Sequence, residues 1–314
     1  MKFIDLFAGI GGIRLGMEQA GHECVGWVEW DKFARKSYIA VHKPDGEFTE
    51  KDINDVTSQE LPKADCWCFG FPCQDISVAG KQGGFTNGKR SSLFFKVTGL
   101  IRKLKEENRP SYLFIENVKN LLSINKGWDF TKLLIEMDEI GYDVEWDVLD
   151  SAGVVPQHRE RIFIVGHLRG QRTRKVFPII RENKKTDKPD KVVNQIGNIS
   201  NSKSFGGNPQ VGRVYGTDGI APTLSTMQGG GQEPKILEDY RVRKLTPLET
   251  WRLQGFPDWA FNRARKAGLS DSQLYKQAGN SVTVPVIKTI ADRMGLNEFN
   301  VFKWIEKSYR TCRE

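Results

Sequence analysis

Residues 2–8, KFIDLFA, form a short apolar run that breaks into the glycines of FAGIGG (7–12). Helical spacing follows, with Ile13, Met17 and Ala20 recurring and Gly21 closing the helix. A run so short and so apolar belongs to a strand buried on both faces, and such strands occur in parallel sheets covered by helices. The alternation then repeats. CVGWVEW (24–30) reads as a strand and FARKSYIAVH (33–42) as a helix; DINDV (52–56) follows a turn, and ADCWCFGF (64–71) is a strand. LFFKVTGLIRKLKEEN is a helix, SYLFIENV (111–118) a strand, WDFTKLLIEMDEIG a helix, and VEWDVLDS and RIFIVG are strands. The expectation is an α/β fold with a doubly wound, mostly parallel sheet, whose ligands bind at the carboxyl ends of the strands.

After residue 170 the alternation stops. Residues 171–240 are rich in Gly, Asn, Ser, Pro and Lys and show no readable helix, which predicts a second, smaller, irregular or β-rich domain. TPLE at 246 offers a Thr N-cap, Pro at the first helical position and Glu at the third, and the helix stops at Gly255 and Pro257. In VPVIKTIADRMG, Val284, Ile287, Ala291 and Met294 share one face, so this helix is expected to dock back onto the sheet. The division read from the chain is 1–170, 171–264 including the RKLTPLE helix, and a returning segment 265–314. Residues 298–314 read as a short amphipathic terminal helix.

The chain carries 47 Lys and Arg against 39 Asp and Glu, a net charge of +8, which suits nucleic acid or a merely solubilising surface. Residues 169–191 hold nine Lys/Arg against three Asp/Glu, as a connector or a phosphate-facing segment would. Five cysteines without a CxxC pair suggest neither a disulfide framework nor a zinc site; Cys66 and Cys68 read as a buried, inert pair on one strand face. With no apolar stretch near ~20 residues and no secretory signal pattern, a reduced, cytoplasmic protein is expected.

Chemistry gathers at the strand ends. Gly9 and Gly11 let backbone approach a ligand, and Glu29, 20 residues after Gly9, suits a ribose hydroxyl. Arg14 stands where a dinucleotide fold would have its third glycine, so a nicotinamide-dependent dehydrogenase is disfavoured. The plainer alternative for the glycines is packing, and for Trp30 a place in the core. GFPCQ (70–74) sets Cys73 behind a strand and a stiff Pro72; a buried, inert thiol is its alternative. SYLFIENV delivers Glu116 and Asn117 at a strand end, as a catalytic carboxylate or an exposed terminus. Gln157, Arg159 and Arg161 fall at spacing two in PQHRERIFIVG, which on a strand aims three donors to one side; an ion-pair rim with Glu160 and Asp150 is the alternative.

In chain order, FAGIGG, GFPCQ, ENV, QHRER, RKLTPLETWRLQGFPD (243–258) and QAGNSV (277–282) resemble the motifs of bacterial and phage type II DNA (cytosine-5)-methyltransferases. The resemblance covers residues 1–166 and 243–294. It implies that 1–170 is a catalytic domain binding S-adenosyl-L-methionine and releasing S-adenosyl-L-homocysteine, and that 171–264 is a target-recognition domain. The implied donor site comprises Phe7, Ala8, Gly9, Ile10, Gly11, Gly12, Glu29, Trp30, Asp52, Ile53, Pro72, Leu93, Asn280, Ser281 and Val282, with no metal. Cys73 becomes the nucleophile toward C6 of a flipped cytosine, Glu116 the partner of N3, and Arg161 with Arg159 the holders of O2.

Loop 80–92 resembles a lid over the flipped nucleotide, or is a plain surface loop. Gln74, Lys81, Arg90, Gln157, Arg213, Thr223, Leu224 and Gln228 are candidate DNA contacts, and Gln232 beside Gly229–Gly231 is another candidate reader; simple turns are the alternative. The implied partner is double-stranded DNA, with a restriction endonuclease acting separately, for a monomer that is nucleoid-associated or phage-encoded. An RNA cytosine-5 methyltransferase shares the Pro-Cys and Glu-Asn-Val motifs, but the Gly-rich insert favours DNA. A catalytically silent relative would have lost the nucleophile or the donor loop, and both are intact. Exchanging residues 171–240 for those of a relative should move the sequence preference of methylation; an unchanged preference, read by bisulfite sequencing, would remove the recognition role from this segment.

Overall fold

The structure, a computed structural model, describes residues 1–71, 92–179, 192–200 and 204–295. Among them, seven strands form the main sheet: β1 (Lys2–Leu6), β2 (Glu23–Val28), β3 (Phe48–Glu50), β4 (Cys66–Phe69), β5 (Tyr112–Val118), β6 (Tyr142–Asp150) and β7 (Glu160–Leu168). Their order is β3-β2-β1-β4-β5-β7-β6. All neighbours are parallel except β7, which runs antiparallel to both β5 and β6. The chain moves one way from β1 to β3 and the other way from β4 to β5, so the order reverses between β1 and β4. A crevice opens at such a point, beyond the carboxyl ends of the strands.

Each central strand is buried on both faces, which explains its unbroken apolar sequence. Ile4, Trp67 and Phe69 face one core with α3 (Ser92–Lys103) and α4 (Trp128–Glu139). Phe3, Cys66 and Cys68 face the other, with α1 (Gly12–Gln19) and α8 (Val284–Gly295). The two thiols lie 3.6 Å apart, fully buried, and burial pushes the Cys68 thiol well up, as an inert pair requires. Val284, Ile287, Ala291 and Met294 are all buried, so the terminal apolar face docks as its spacing predicts.

A third cluster joins distant parts of the chain. Trp251 of α5 (Pro247–Leu253), Phe261 of α6 (Asp258–Lys266) and Leu274 of α7 (Asp271–Asn280) pack with Ile10, Leu15 and Val41, the last on α2 (Lys32–His42). Thr246 and Glu249 form the expected capping box. The segment DINDV proves to be a turn behind strand β3: the Asp52 carboxylate accepts from the Asn54 backbone and side chain, both at 2.9 Å, a local bond that competes with strand pairing. Arg14 is buried and forks onto Glu47 at 2.7 and 2.8 Å, fastening α1 to the approach of β3. The second domain holds a four-stranded sheet, β11-β10-β9-β8, from β8 (Gln195–Asn198), β9 (Arg213–Tyr215), β10 (Lys235–Glu238) and β11 (Arg241–Lys244). No helix among the described residues is long and apolar enough to cross a membrane.

Helices α1 and α8 meet at Gly16. A Cβ there would lie 2.6 Å from Ile287 Cβ and 3.0 Å from the Lys288 backbone nitrogen. Backbone cannot step aside cheaply, so overpacking costing about 1–3 kcal/mol should outweigh the ~1 kcal/mol gained in helix propensity. Gly16→Ala should therefore lower the urea midpoint, and a midpoint at or above the wild-type value would show that the two helices separate freely.

Candidate active site

A cleft of about 840 Å³ opens where the strand order reverses. The loop after β1 forms one wall. Phe7, Gly9 and Gly11 take left-handed backbone there, at φ 58°, 56° and 81°. The Gly9 amide donates to Glu29 Oε2 and the Asp31 amide to Oε1, both at 2.7 Å. The Glu29 carboxylate is thus held rigidly at the end of β2. Burial raises its pKa, and the backbone donors partly offset that. Gly11 is obligatory twice over, since a Cβ there would also sit 2.1 Å from His42 Nε2. A Cβ on Gly12 would lie 2.8 Å from Ser281 Oγ, so the C-terminal loop closes directly over the cradle.

Trp30 is 74% exposed, which rules out a core role. Ala8, Ile10, Asp52, Ile53, Leu93, Asn280, Ser281 and Val282 line the same cleft, so the described members of the expected donor site come together, with Gly11 packed behind the loop. Ile53 is buried as part of the floor. Lys276, paired with Asp31 at 2.9 Å, also reaches the cleft. It was not foreseen because a Lys on an amphipathic helix reads as part of a solvated face.

The other half of the cleft is built by β5 and β7. Val118 pairs with Arg161 in the antiparallel register, which brings Arg161 Nε to 3.2 Å from Glu116 Oε1. Burial raises the Glu116 pKa, while Arg161 and Arg159 act in the opposite direction. Gly70 packs close beside it: a Cβ would lie 3.1 Å from Glu116 Oε2, so the carboxylate would have to shift by a few tenths of an ångström. Asn117 donates to the carbonyl of Phe71, two residues before Cys73 in the chain, at 3.5 Å.

Two expectations for QHRER change. The motif is not one strand face, because β7 begins only at Glu160. Gln157 is fully buried, donating to the Leu253 carbonyl at 3.0 Å and accepting from the Leu224 amide at 3.1 Å. An amide satisfied at both ends and sealed from solvent offers nothing to DNA. Arg159 lines the cleft, but its terminal nitrogens donate to the carbonyls of Leu224 (3.3 Å), Gly279 (3.0 Å) and Ser281 (2.7 Å), so its role is that of a clamp. Of the pair, Arg161 alone sits against Glu116.

In the second domain, Leu224 is buried and Thr223 Oγ1 donates to the His158 carbonyl at 2.6 Å, so both anchor the segment that enters the cleft. Arg213 donates to the Asn208 carbonyl at 3.1 Å, and Gln228 and Gln232 are exposed, with Gln228 on the cleft wall. Pro72, Cys73, Gln74, Lys81, Arg90 and the terminal segment 298–314 lie outside the described residues, as does loop 80–92 except its last residue, which opens α3.

The family described as C-5 cytosine-specific DNA methylase matches residues 1–226 and 203–296. The type II methyltransferase M.HhaI of Haemophilus parahaemolyticus is 36% identical over 321 residues, which span 94% of each chain. The type II methyltransferase M.HpaII of Haemophilus parainfluenzae is 34% identical, over 93% of this chain and 90% of that one. The methyltransferase EhMeth of Entamoeba histolytica shares the fold, with a TM-score of 0.70 at 19% identity over 94% of this chain and 97% of that one. The cleft thus belongs to a methyltransferase fold. The chain belongs to the C-5 cytosine-specific DNA methylase family and is an enzyme of that class.

Arg159→Met would leave three carbonyls without their charged donor. Hydrogen bonds to charged groups are worth about 1.5–3 kcal/mol each, so a loss of at least ~3 kcal/mol is expected in chemical unfolding. A variant as stable as wild type would show that the clamp is dispensable.

Proposed function

We propose that the enzyme transfers a methyl group to C5 of a cytosine flipped out of a specific duplex DNA sequence. The observation that carries this reading is the half-buried Glu116–Arg161 pair sharing one cleft with the glycine cradle and Glu29. The residues fit S-adenosylmethionine. The Glu29 carboxylate can accept from ribose hydroxyls, the exposed Trp30 ring offers an adenine a face, and the left-handed loop leaves a hollow that side chains would fill. Ile53, Leu93, Ser281 and Val282 would hold the remainder. When bound, the donor supplies an electrophilic methyl group.

The protein must make a poor nucleophile reactive. Addition of the Cys73 thiolate to C6 turns C5 into an enamine carbon and puts negative charge on the ring. Glu116 in its acid form donates to N3 and neutralises that charge; its raised pKa keeps the acid form to higher pH than an ordinary carboxyl, and the form is lost as pH rises through that value. Arg161 beside it serves O2. After transfer, H5 leaves to water and the thiolate is expelled. The base must leave the duplex for C6 to be reached, at a cost of a few kcal/mol. Residues 1–170 would perform the chemistry, 171–264 the reading of sequence and 265–314 the closure over the donor. The type II names of the relatives support a place beside a separate restriction endonuclease. A cytoplasmic monomer acting on duplex DNA completes the reading.

The test is methyl transfer from labelled S-adenosylmethionine to unmethylated duplex DNA, with bisulfite sequencing of the product. Wild type should leave 5-methylcytosine in one short context, Cys73→Ala should be inactive, and Glu116→Gln should slow by about 10²–10⁴-fold. Equal labelling by the alanine variant would remove Cys73 as nucleophile, and labelling of RNA alone would overturn the substrate.

A further inference from the structure

Lys235 begins β10 and is 9% exposed, although it lies in a basic domain where a lysine would be expected to face phosphate. Its ammonium donates to the carbonyls of Val211 (2.5 Å), Gly231 (2.7 Å) and Glu233 (3.3 Å). An ammonium carries three donors, and here all three are used on backbone, so none remains for a phosphate. Burial lowers the pKa of the group and nearby Glu233 supports its charge.

The carbonyls belong to two separate segments. One is the short turn Gln210–Gly212 that leads into Arg213. Asn198 holds it from behind, its Nδ2 donating to the Pro209 carbonyl at 2.9 Å, while the Ile199 amide donates to the Gly212 carbonyl at 2.8 Å. A Cβ on Gly212 would stand 2.0 Å from Asn198 Oδ1, so this side is packed tight. The other segment is 227–233, in which Met227, Gly229, Gly230 and Gly231 all have positive φ. Consecutive glycines lose more backbone freedom on ordering than any other residues, so such a run needs anchors. Buried Met227 anchors one end, and Lys235 anchors the other through Gly231. Between the anchors stands exposed Gln228, with exposed Gln232 just past Gly231.

We propose that Lys235 is a specificity-positioning residue: its buried ammonium locks the 210–212 turn and the 227–232 run into one register, so that their exposed side chains present a fixed pattern of donors and acceptors to base edges. The inference rests on the reading of this domain as the sequence reader. Discrimination by a base contact worth about 1–3 kcal/mol requires donors held in place, and a run free to sample several conformations would accept neighbouring sequences.

The experiment compares wild type, Lys235→Met and Gly231→Ala. Methionine keeps the length of the stem and removes the charge. Alanine keeps the ammonium but disfavours φ +72° at the carbonyl it grips, while its Cβ meets only Val211 Cγ1 at an ordinary 3.5 Å. Each is assayed for methylation at the cognate site and at sites differing by one base pair, for kcat and KM with DNA, and for donor binding by tryptophan fluorescence. Lys235→Met should lower the cognate to near-cognate ratio of kcat/KM by about tenfold or more, through KM, with kcat within about twofold and donor affinity unchanged. Gly231→Ala should shift the ratio in the same direction.

A ratio unchanged in both variants, whatever happens to stability, would overturn the proposal, as would a parallel fall at all sites. If Lys235→Met fails to bind the donor, Gly231→Ala decides alone. Wild type without any sequence preference would instead sink the reading of the domain itself.

Discussion

A guanidinium buried beneath the cleft must find acceptors, because it does not readily give up its proton and cannot be left bare away from water. Arg159 finds them in the backbone carbonyls of Leu224, Gly279 and Ser281. Burial and the charge of Arg161 act against its cation and Glu116 supports it, so the carbonyls must be close and well aimed. That demand draws three distant stretches of chain to one point beside β7: the segment around Leu224, the end of α7 and the loop that closes over the glycine cradle. Gln157 repeats the device with a neutral amide, joining Leu224 to Leu253. The cleft exists in its present shape because these two side chains hold its roof down.

Within that enclosure two carboxylates, Glu29 buried and Glu116 half-buried, are tuned in different ways. Glu29 is held by two backbone amides, which fix its orientation without placing a cation on it, so it remains an acceptor for neutral hydroxyls. Glu116 faces Arg161 across a strand pair, where burial and a nearby cation compete over its proton. A group balanced in this way suits a reaction in which charge develops on a bound base. The antiparallel entry of β7 makes the difference, since it carries Arg161 to the end of a sheet whose other strands run parallel.

Much of the fold can be read directly from residue order. Apolar runs of strand length, glycine breaks and helical spacing mark β1, β2, β4, β5 and their helices, and the Thr246–Glu249 box marks the start of α5. These signals are local: each reports which faces of one element are buried. The glycine loop was legible for the same reason, because a left-handed turn demands glycine within a few residues and Glu29 follows on the next strand. Trp30 was ambiguous, since an aromatic ring at a strand end suits core and surface alike, and only its exposure decides.

The roles of Gln157, Arg159 and Lys235 were not legible in this way. A motif spelled with charged and amide side chains looks like an outward-facing site, and a lysine in a basic domain looks like a phosphate contact. Their acceptors are backbone carbonyls, which every residue carries and no sequence marks. For Arg159 those carbonyls lie 65 to 122 residues along the chain. The amino-acid order therefore settles the chemistry this protein can hold, through side chains whose types and local spacing are explicit. Which of those side chains meet a substrate and which are taken up by the backbone is settled when the chain closes, because only packing brings anonymous carbonyls within reach of a buried charge.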